Sequence, residues 1–556
     1  MNLTPALYAH AEEKLGQALM HIFDGPSTRV KIELGTLGRT LKREDKTCKV
    51  MVSMPKGKMV VICESDDDMY KAINLAHDRV LERVKRERGR VVRPTRTRKM
   101  ARAARASTAR QTLCVQPELW EQELPPTVIL GAGLAGLACA HDLATPAVVF
   151  ESSDGVGGSA RSHARGGYTF DITGHWLHFK DAHMRAWVEA LMGDTLVEIN
   201  RRAGVFMHGV HTPYPFQAHT YGLPTHVVAE CVLGFVQAQL KKARGQLARC
   251  TTFEDYIRQC MGDGIAEHFM IPYNTKLWTV HPREMAHAWC GRFVPLPKLE
   301  QVVWGALQPQ GDGSNLGYNA SFLYPRTGGI GQLAAKLSEA VRHPIYLQHR
   351  AVRIDLQARV VHFANGARAA FSKLITSMPL THLMACITEV PIDVQNSVAR
   401  LRANQITWWD VGIRRPTPAG ANHWTYYPGP EVPFFRVGCP SAVLASLAPE
   451  GCTSYYVEVA HAPGTSCLID DAAVLSGLRR VGLVHADETP EVFVRSHLDC
   501  AYTIMDHAYG AARQTVLGWL SEQGVISTGR FGAWMYDSME GALSAGRAAA
   551  LQLADL

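Results

Sequence analysis

The sequence predicts an α/β fold built around a parallel sheet and preceded by a small α+β module. Three observations lead there. A short apolar run, Thr127-Val-Ile-Leu130, is followed at once by Gly131-Ala-Gly133-Leu134-Ala135-Gly136, and then by a second apolar run, Ala147-Val-Val-Phe150, that ends on the acid Glu151. The glycine motif begins only at residue 131, so another unit must occupy the N-terminal segment. Residues 1 to about 90 supply it, with helix and strand periodicities of their own.

Thr4 can cap a first helix with Pro5 at its first position, and Leu7, Ala11, Leu15, Leu19 and Ile22 recur at helical spacing. Three strands are expected next. Val30, Ile32 and Leu34 alternate with Arg29, Lys31 and Glu33; Cys48, Val50, Val52 and Met54 alternate again; Pro55-Lys-Gly57 turns the chain into Met59–Cys63. Asp66, Asp67 and Asp68 offer N-caps to a last helix. That helix would carry Met69, Ile73, Ala76, Val80 and Val84 on one face, with Arg79, Arg83, Lys85, Arg86 and Arg88 elsewhere.

The order of these elements, with Asp45-Lys-x-Cys-x-Val-x-Val-x-x-Pro-x-Gly57 and Asp68-Met-Tyr-x-Ala-Ile73, resembles the ribosome hibernation promoting factor family over about 85 residues. The resemblance implies a module that lies on the small ribosomal subunit through basic contacts to rRNA. The chain departs from the family in lacking the usual first strand before helix one, which would leave a sheet edge unpaired. A captured domain serving in docking or dimerisation is the alternative.

Charge is concentrated where this module ends. From Arg79 to Arg110 there are thirteen Lys or Arg against two acids, Glu82 and Glu87; this local +11, within a net +7, leaves −4 on the rest of the chain. Such a run suits an anionic partner, nucleic acid or a membrane surface, or a solvated spacer extended by self-repulsion. Arg93 to Gln122, with Pro94 and little periodicity, reads as linker. The expected domains are therefore 1–90, a basic linker over 91–124, and 125–556.

The composition, 47% apolar and 20% charged, excludes a fibre or a wholly disordered chain. Met1-Asn-Leu-Thr-Pro5 leads into an amphipathic segment, and the most apolar stretch, near Val227 to Phe235, is short and holds Glu230; no signal peptide or membrane span is expected. The 13 cysteines are scattered and never spaced as Cys-x-x-Cys, so they read as buried thiols of a cytoplasmic protein, with neither a disulfide framework nor a metal site.

In the glycine motif, the first glycine allows the tight strand-to-helix turn, the second lets backbone approach a pyrophosphate at the helix N-terminus, and the third allows the helix to pack on the strand. Glu151 is placed to accept ribose hydroxyls. A structural βαβ turn is the plainer alternative, but strand, helix and acid are all in place.

Gly157-Gly158-Ser-Ala-Arg161-Ser, then Gly167-Tyr-x-Phe-Asp171-x-x-Gly174-His175, resembles the flavin-binding start shared by amine oxidases, protoporphyrinogen oxidases and UDP-galactopyranose mutases. The resemblance implies an FAD-binding, Rossmann-like domain of the amine oxidase superfamily with an interleaved substrate domain. FAD is the expected cofactor, with Arg161 by the pyrophosphate, Gly174 and His175 beside the isoalloxazine, and Val352 at the adenine. The flavin layer would be assembled from about 125–180, 325–385 and 520–556.

Further segments resemble the mutase, especially its eukaryotic type. Tyr214-Pro-Phe216-Gln217 is similar to the segment that sandwiches the uracil, and Pro272-Tyr-Asn-Thr-Lys-Leu-Trp278 to a strand and mobile loop beside the substrate. Asn319 falls at another substrate contact. Phe434-Phe-Arg436 and Tyr502 are similar to residues holding the diphosphate. So is the closing motif Gly529-Arg530-Phe-Gly-Ala-Trp-Met-Tyr536, whose following turn, at Met539, meets the flavin. His175, Arg436, Arg530, Tyr502 and Tyr536 are thus the expected catalytic set. Arginines, tyrosine hydroxyls and a stacking aromatic are also what a nucleotide-sugar diphosphate needs. One position departs: where the family carries an arginine after Ala-Trp, Phe293 stands, with Arg292 one place earlier. On a strand that shift would reverse the side chain.

The resemblance implies a UDP-galactopyranose mutase-like enzyme that works on a nucleotide-sugar through N5 of reduced flavin. A net FAD-dependent oxidoreductase of the same fold, and a flavin-regulated ribosome-associated factor, are the competing readings.

Overall fold

The computed structural model describes residues 29–36, 46–54, 58–66, 73, 76, 79, 126–292, 294–309, 320–463, 465 and 469–554. The expected first helix, the caps at Asp67 and Asp68, the linker, Asn319 and Phe293 lie outside them. The chain divides into two compact units, Met1–Leu113 and Cys114–Leu556.

In the first unit, Arg29–Thr36, Lys46–Met54 and Lys58–Asp66 form an antiparallel meander in that order. Cys48 and Val50, on the alternating apolar face, are fully buried, and so are the helical Ile73 and Ala76, while Arg79 is exposed. Asp66 closes the third strand, opposite Lys46, and the start of the helix it is expected to cap lies outside the described residues.

The second unit rests on a parallel five-stranded sheet in the order Ile345–Tyr346, Ala147–Phe150, Thr127–Leu130, Leu374–Thr376 and Val525–Ser527. Its strands read as continuous apolar runs because both faces are covered. Ile129, Val149 and Ile375 face a core shared with the helices Leu134–Asp142, Gly331–Ala340 and Met539–Ala554. Val128, Leu130, Val148, Phe150 and Leu374 face the opposite core, shared with the antiparallel strands Ala351–Asp355, Val360–Phe363 and Arg368–Ala370.

A seven-stranded sheet makes up the rest, ordered Val210–Pro213, Ala203–Met207, Trp424–Tyr426, Arg436–Gly438, Thr453–His461, Arg402–Ile413 and Val492–Ile504. Helices Thr225–Ala243 and Phe253–Ile265 pack beside it around Val227, Cys231, Phe235, Ile257 and Met261. Among the described residues no helix is long and apolar enough to cross a membrane, no group of His, Cys, Asp or Glu could hold a metal ion, and no cysteine is in a disulfide.

Candidate functional site

Gly131 turns the chain out of its strand at φ 102°, a conformation that disfavours any side chain, and a Cβ there would meet Ser377 Oγ at 2.5 Å. A Cβ on Gly136 would collide with the Gly131 carbonyl. Gly133 is explained by neither argument. Its φ is −71°, and a Cβ would have only ordinary contact, 3.8 Å from Gly158 Cα. Gly133 is the N-cap of the helix Leu134–Asp142, and no side chain caps that end. The bare backbone, beside Gly158 and held by the bridge Gly133–Gly157, leaves a cradle that a side chain would fill, facing helix N–H groups that seek an anion.

Glu151 is buried at the end of the second strand and fixes this loop. Its Oε2 accepts from Ala132 N at 2.8 Å, and its Oε1 accepts from Ser153 N, Ser153 Oγ and Ser152 Oγ at 2.8, 2.7 and 3.1 Å. A carboxylate offers about four acceptor positions, so ribose hydroxyls would compete with the two serines. Arg161 lies along Gly155 and Gly157 and donates to Asp154 at 2.7 Å. Gly529 sits against Ala135, where a Cβ would come within 2.5 Å of that methyl group, and Met539 opens the C-terminal helix, packed on the same core as Leu134. Val352 stands at a register shift in the Ala351–Asp355 strand and is half exposed, a rare setting for valine.

The second group gathers at Gly174 and His175. A Cβ on Gly174 would strike the Tyr456 hydroxyl. Burial, together with Arg530 and Arg436, pushes the His175 imidazole down to about 4, so it is neutral at pH 7; its Nδ1 is sealed from solvent without a hydrogen-bond partner. The two arginines differ in kind. Arg436 donates from Nε and Nη2 to the two oxygens of the fully buried Glu458, the second at 2.8 Å, and approaches the Tyr502 hydroxyl at 3.4 Å. Arg530 has no carboxylate partner among the described residues: it donates to the carbonyls of Asp537 and Ala501 at 3.1 and 2.9 Å, and its buried Nε has no partner. Three rings surround it, Tyr502 at 5.0 Å, Phe531 at 5.3 Å and Tyr536 at 5.4 Å.

Trp278 joins this aromatic group, 5.7 Å from the Tyr502 ring and 5.4 Å from that of Tyr536, but it is 1% exposed and donates to Asn274 at 3.1 Å. Its segment is a helix, Ile271–Trp278, and not the expected strand and loop, because it continues a π-turn with Pro272 in its first turn. Phe216 is fully buried against Phe269, and the Gln217 amide nitrogen donates to the Pro295 carbonyl at 2.6 Å while its buried Oε1 has no partner among the described residues. Both therefore stand as packed residues in this form. Tyr214 is half-buried, with the Arg201 guanidinium 4.9 Å from its ring centroid. Arg292 ends a 3₁₀ turn, Cys290–Arg292, so the strand argument for a reversed side chain does not apply to it.

Glu458 and Asn404 were not anticipated from the sequence. Asn404, fully buried, donates to the Leu277 carbonyl at 2.6 Å and accepts from Tyr502 N at 2.9 Å, tying the tyrosine to the end of the Trp278 helix. The signal for Glu458 is an isolated acid within an apolar run, Val457-Glu458-Val459; Asn404, beside Gln405 in its strand, carries no such signal. The alternate residues Thr425, Tyr427, Val437 and Tyr455 line a separate cavity on the other face of the sheet.

Comparison with known proteins places both units. Residues 1–92 match the family described as Sigma 54 modulation protein / S30EA ribosomal protein, and residues 129–191 match the NAD(P)-binding Rossmann-like domain. Among solved structures, a reduced UDP-galactopyranose mutase is 23% identical, with a TM-score of 0.71 over 78% of this chain and 96% of the other. A putative protoporphyrinogen oxidase from Exiguobacterium sp. 255-15 is 16% identical, with a TM-score of 0.60 over 77% and 98%. A putrescine oxidase is 17% identical, with a TM-score of 0.54 over 78% and 99%. The chain thus joins an S30EA-type N-terminal module to a Rossmann-like unit with the fold of UDP-galactopyranose mutase and of protoporphyrinogen and amine oxidases.

Proposed function

We propose that the second unit is an FAD enzyme acting on a nucleotide-sugar in the manner of UDP-galactopyranose mutase. The observation that carries the cofactor is Gly133, a glycine that neither backbone conformation nor internal packing requires, at an uncapped helix N-terminus. Gly133, Gly158 and the helix N–H groups would hold the pyrophosphate, with Arg161 beside it, Glu151 at the ribose and the exposed Val352 at the adenine. Bound FAD supplies a reducible ring whose N5 can act as nucleophile or take hydride.

The chain's own part is orientation and charge. Neutral His175, with its open Nδ1, can offer the cofactor a hydrogen bond without adding a charge. Arg530 is the cation best placed to hold a diphosphate and to stabilise the negative charge on departing UDP, because no carboxylate among the described residues offsets it. Tyr502 and Tyr536 add hydroxyls and, with Trp278, keep that region poor in water, which strengthens the electrostatics. The likeness to the mutase structure supports the same reading. Binding of UDP to the wild type and to Arg530→Ala tests it: the wild type should bind and the variant should bind far more weakly, with equal flavin content.

The Arg436–Glu458 pair favours a second reading. It leaves one of the two expected clamp arginines neutralised, which suits a less charged substrate and a net oxidation on the same fold. For the N-terminal unit we propose small-subunit rRNA binding, supported by its S30EA match and the basic run that begins at Arg79.

A further inference from the structure

The helix Thr225–Ala243 buries Val227, Cys231, Phe235 and Ala238 against the domain. On its other side Leu233 and Leu240, seven residues apart and therefore on one face, are 60% and 48% exposed, and Leu247 beyond the helix end is 42% exposed. Every residue from Leu240 to Arg249 is exposed. In that stretch Leu240 and Leu247 alternate with Lys241, Lys242, Arg244 and Arg249, and it contains no acid; the one acid of the helix, Glu230, lies toward its other end and pairs with His268 at 2.6 Å. Exposed leucines cost solvation and contribute nothing to the core, so a patch of this kind marks a docking face.

We propose that this face, Leu233 to Arg249, rests on an anionic phospholipid surface. The leucines would enter the boundary between headgroups and acyl chains while Lys241, Arg244 and Arg249 meet lipid phosphates, with their alkyl stems lying along the apolar boundary; Lys242, on the side of the helix that faces Cys260, is not part of this face. Cations without leucines would suit a polyanion such as RNA, and leucines without cations a second copy of this chain; their alternation fits a charged surface with an apolar interior. The helix lies on the membrane and does not cross it, since no helix among the described residues is long and apolar enough to span.

The experiment uses the full chain, whose separate basic run could also hold anionic vesicles, so the readout must be local. Hydrogen exchange is followed with vesicles of phosphatidylcholine and phosphatidylglycerol, with phosphatidylcholine alone, and with an rRNA fragment. The expected result is slowed exchange over 233–249 with the anionic vesicles only. Leu240→Glu with Leu247→Glu should abolish that protection and lower vesicle affinity on the order of tenfold, leaving flavin content unchanged. Vesicle binding with unaltered exchange at 233–249 would overturn the proposal. So would protection by rRNA in place of lipid, or a lipid-free, concentration-dependent dimer that the double variant dissolves.

Discussion

The Arg436 guanidinium is held by both oxygens of Glu458, a carboxylate with no solvent exposure, on adjacent antiparallel strands of the seven-stranded sheet. The pair is nearly neutral as a unit, which separates Arg436 from Arg530 in what each can do for an anionic ligand.

Arg530→Ala should therefore weaken UDP binding by about 2–5 kcal/mol, the range for truncating one partner of a buried charged contact. Arg436→Ala should weaken it less and act mainly on the fold, since it strands the Glu458 carboxylate at a cost of about 3–5 kcal/mol. Titration calorimetry with UDP and thermal melts of both variants separate the two effects. Equal losses of UDP affinity from both, with unchanged melting temperatures, contradict the distinction.

Gly133→Ala should fold normally, because the site accepts a Cβ at φ −71°, yet hold FAD more weakly; Gly133→Val should lose it. Flavin absorbance per mole of purified, folded protein is the check. A Gly133→Val protein as yellow as the wild type means the cradle is not a cofactor site.

Stability should fall as the pH drops from about 6.5 to about 4. Burial holds the His175, His178 and His423 imidazoles near about 4, so in that window the unfolded chain takes up protons that the folded chain refuses. His423 is fully buried, and its Nδ1 accepts from Arg202 N at 3.2 Å, which requires the ring to be unprotonated there. His423→Gln should flatten the slope of urea-melt stability against pH between those limits; an unchanged slope assigns the titration elsewhere.

Reversing Arg83, Arg86 and Arg90 to Glu should abolish co-sedimentation with small ribosomal subunits, and wild-type pelleting should fall steeply as salt rises, since phosphate contacts release counterions. Equal pelleting of the two proteins would make the N-terminal unit a structural appendage.

The parallel sheet was legible because strands covered on both faces leave uninterrupted apolar runs, as at Thr127–Leu130 and Ala147–Phe150, and because Gly131 and Gly136 carry steric demands that residue identity alone conveys. Of the candidate site, the sequence named residues that the fold brings together: Gly174, His175, Arg436, Tyr502, Arg530 and Tyr536 come from distant segments, and the coupling of His175 to both arginines, with the contacts among these side chains, puts them in one place. Partnership was not legible. Nothing local to Arg436 announces that Glu458, on a neighbouring strand, takes its charge, and nothing in Phe216 or Trp278 says that the ring is packed away. The helix at Ile271–Trp278 was missed because the strand and loop were carried over from the resemblance, whereas here Pro272 sits in a helix's first turn, where its missing N–H costs nothing.

The most direct test of the central claim is product analysis of a small panel of UDP-sugars incubated with dithionite-reduced protein. The account predicts that one of them, UDP-galactopyranose first among the candidates, is converted to an isomer of equal mass and altered ring size, and that Arg530→Ala abolishes the conversion. Unchanged sugars, with an amine or porphyrinogen reducing the flavin of the oxidised protein instead, would contradict it.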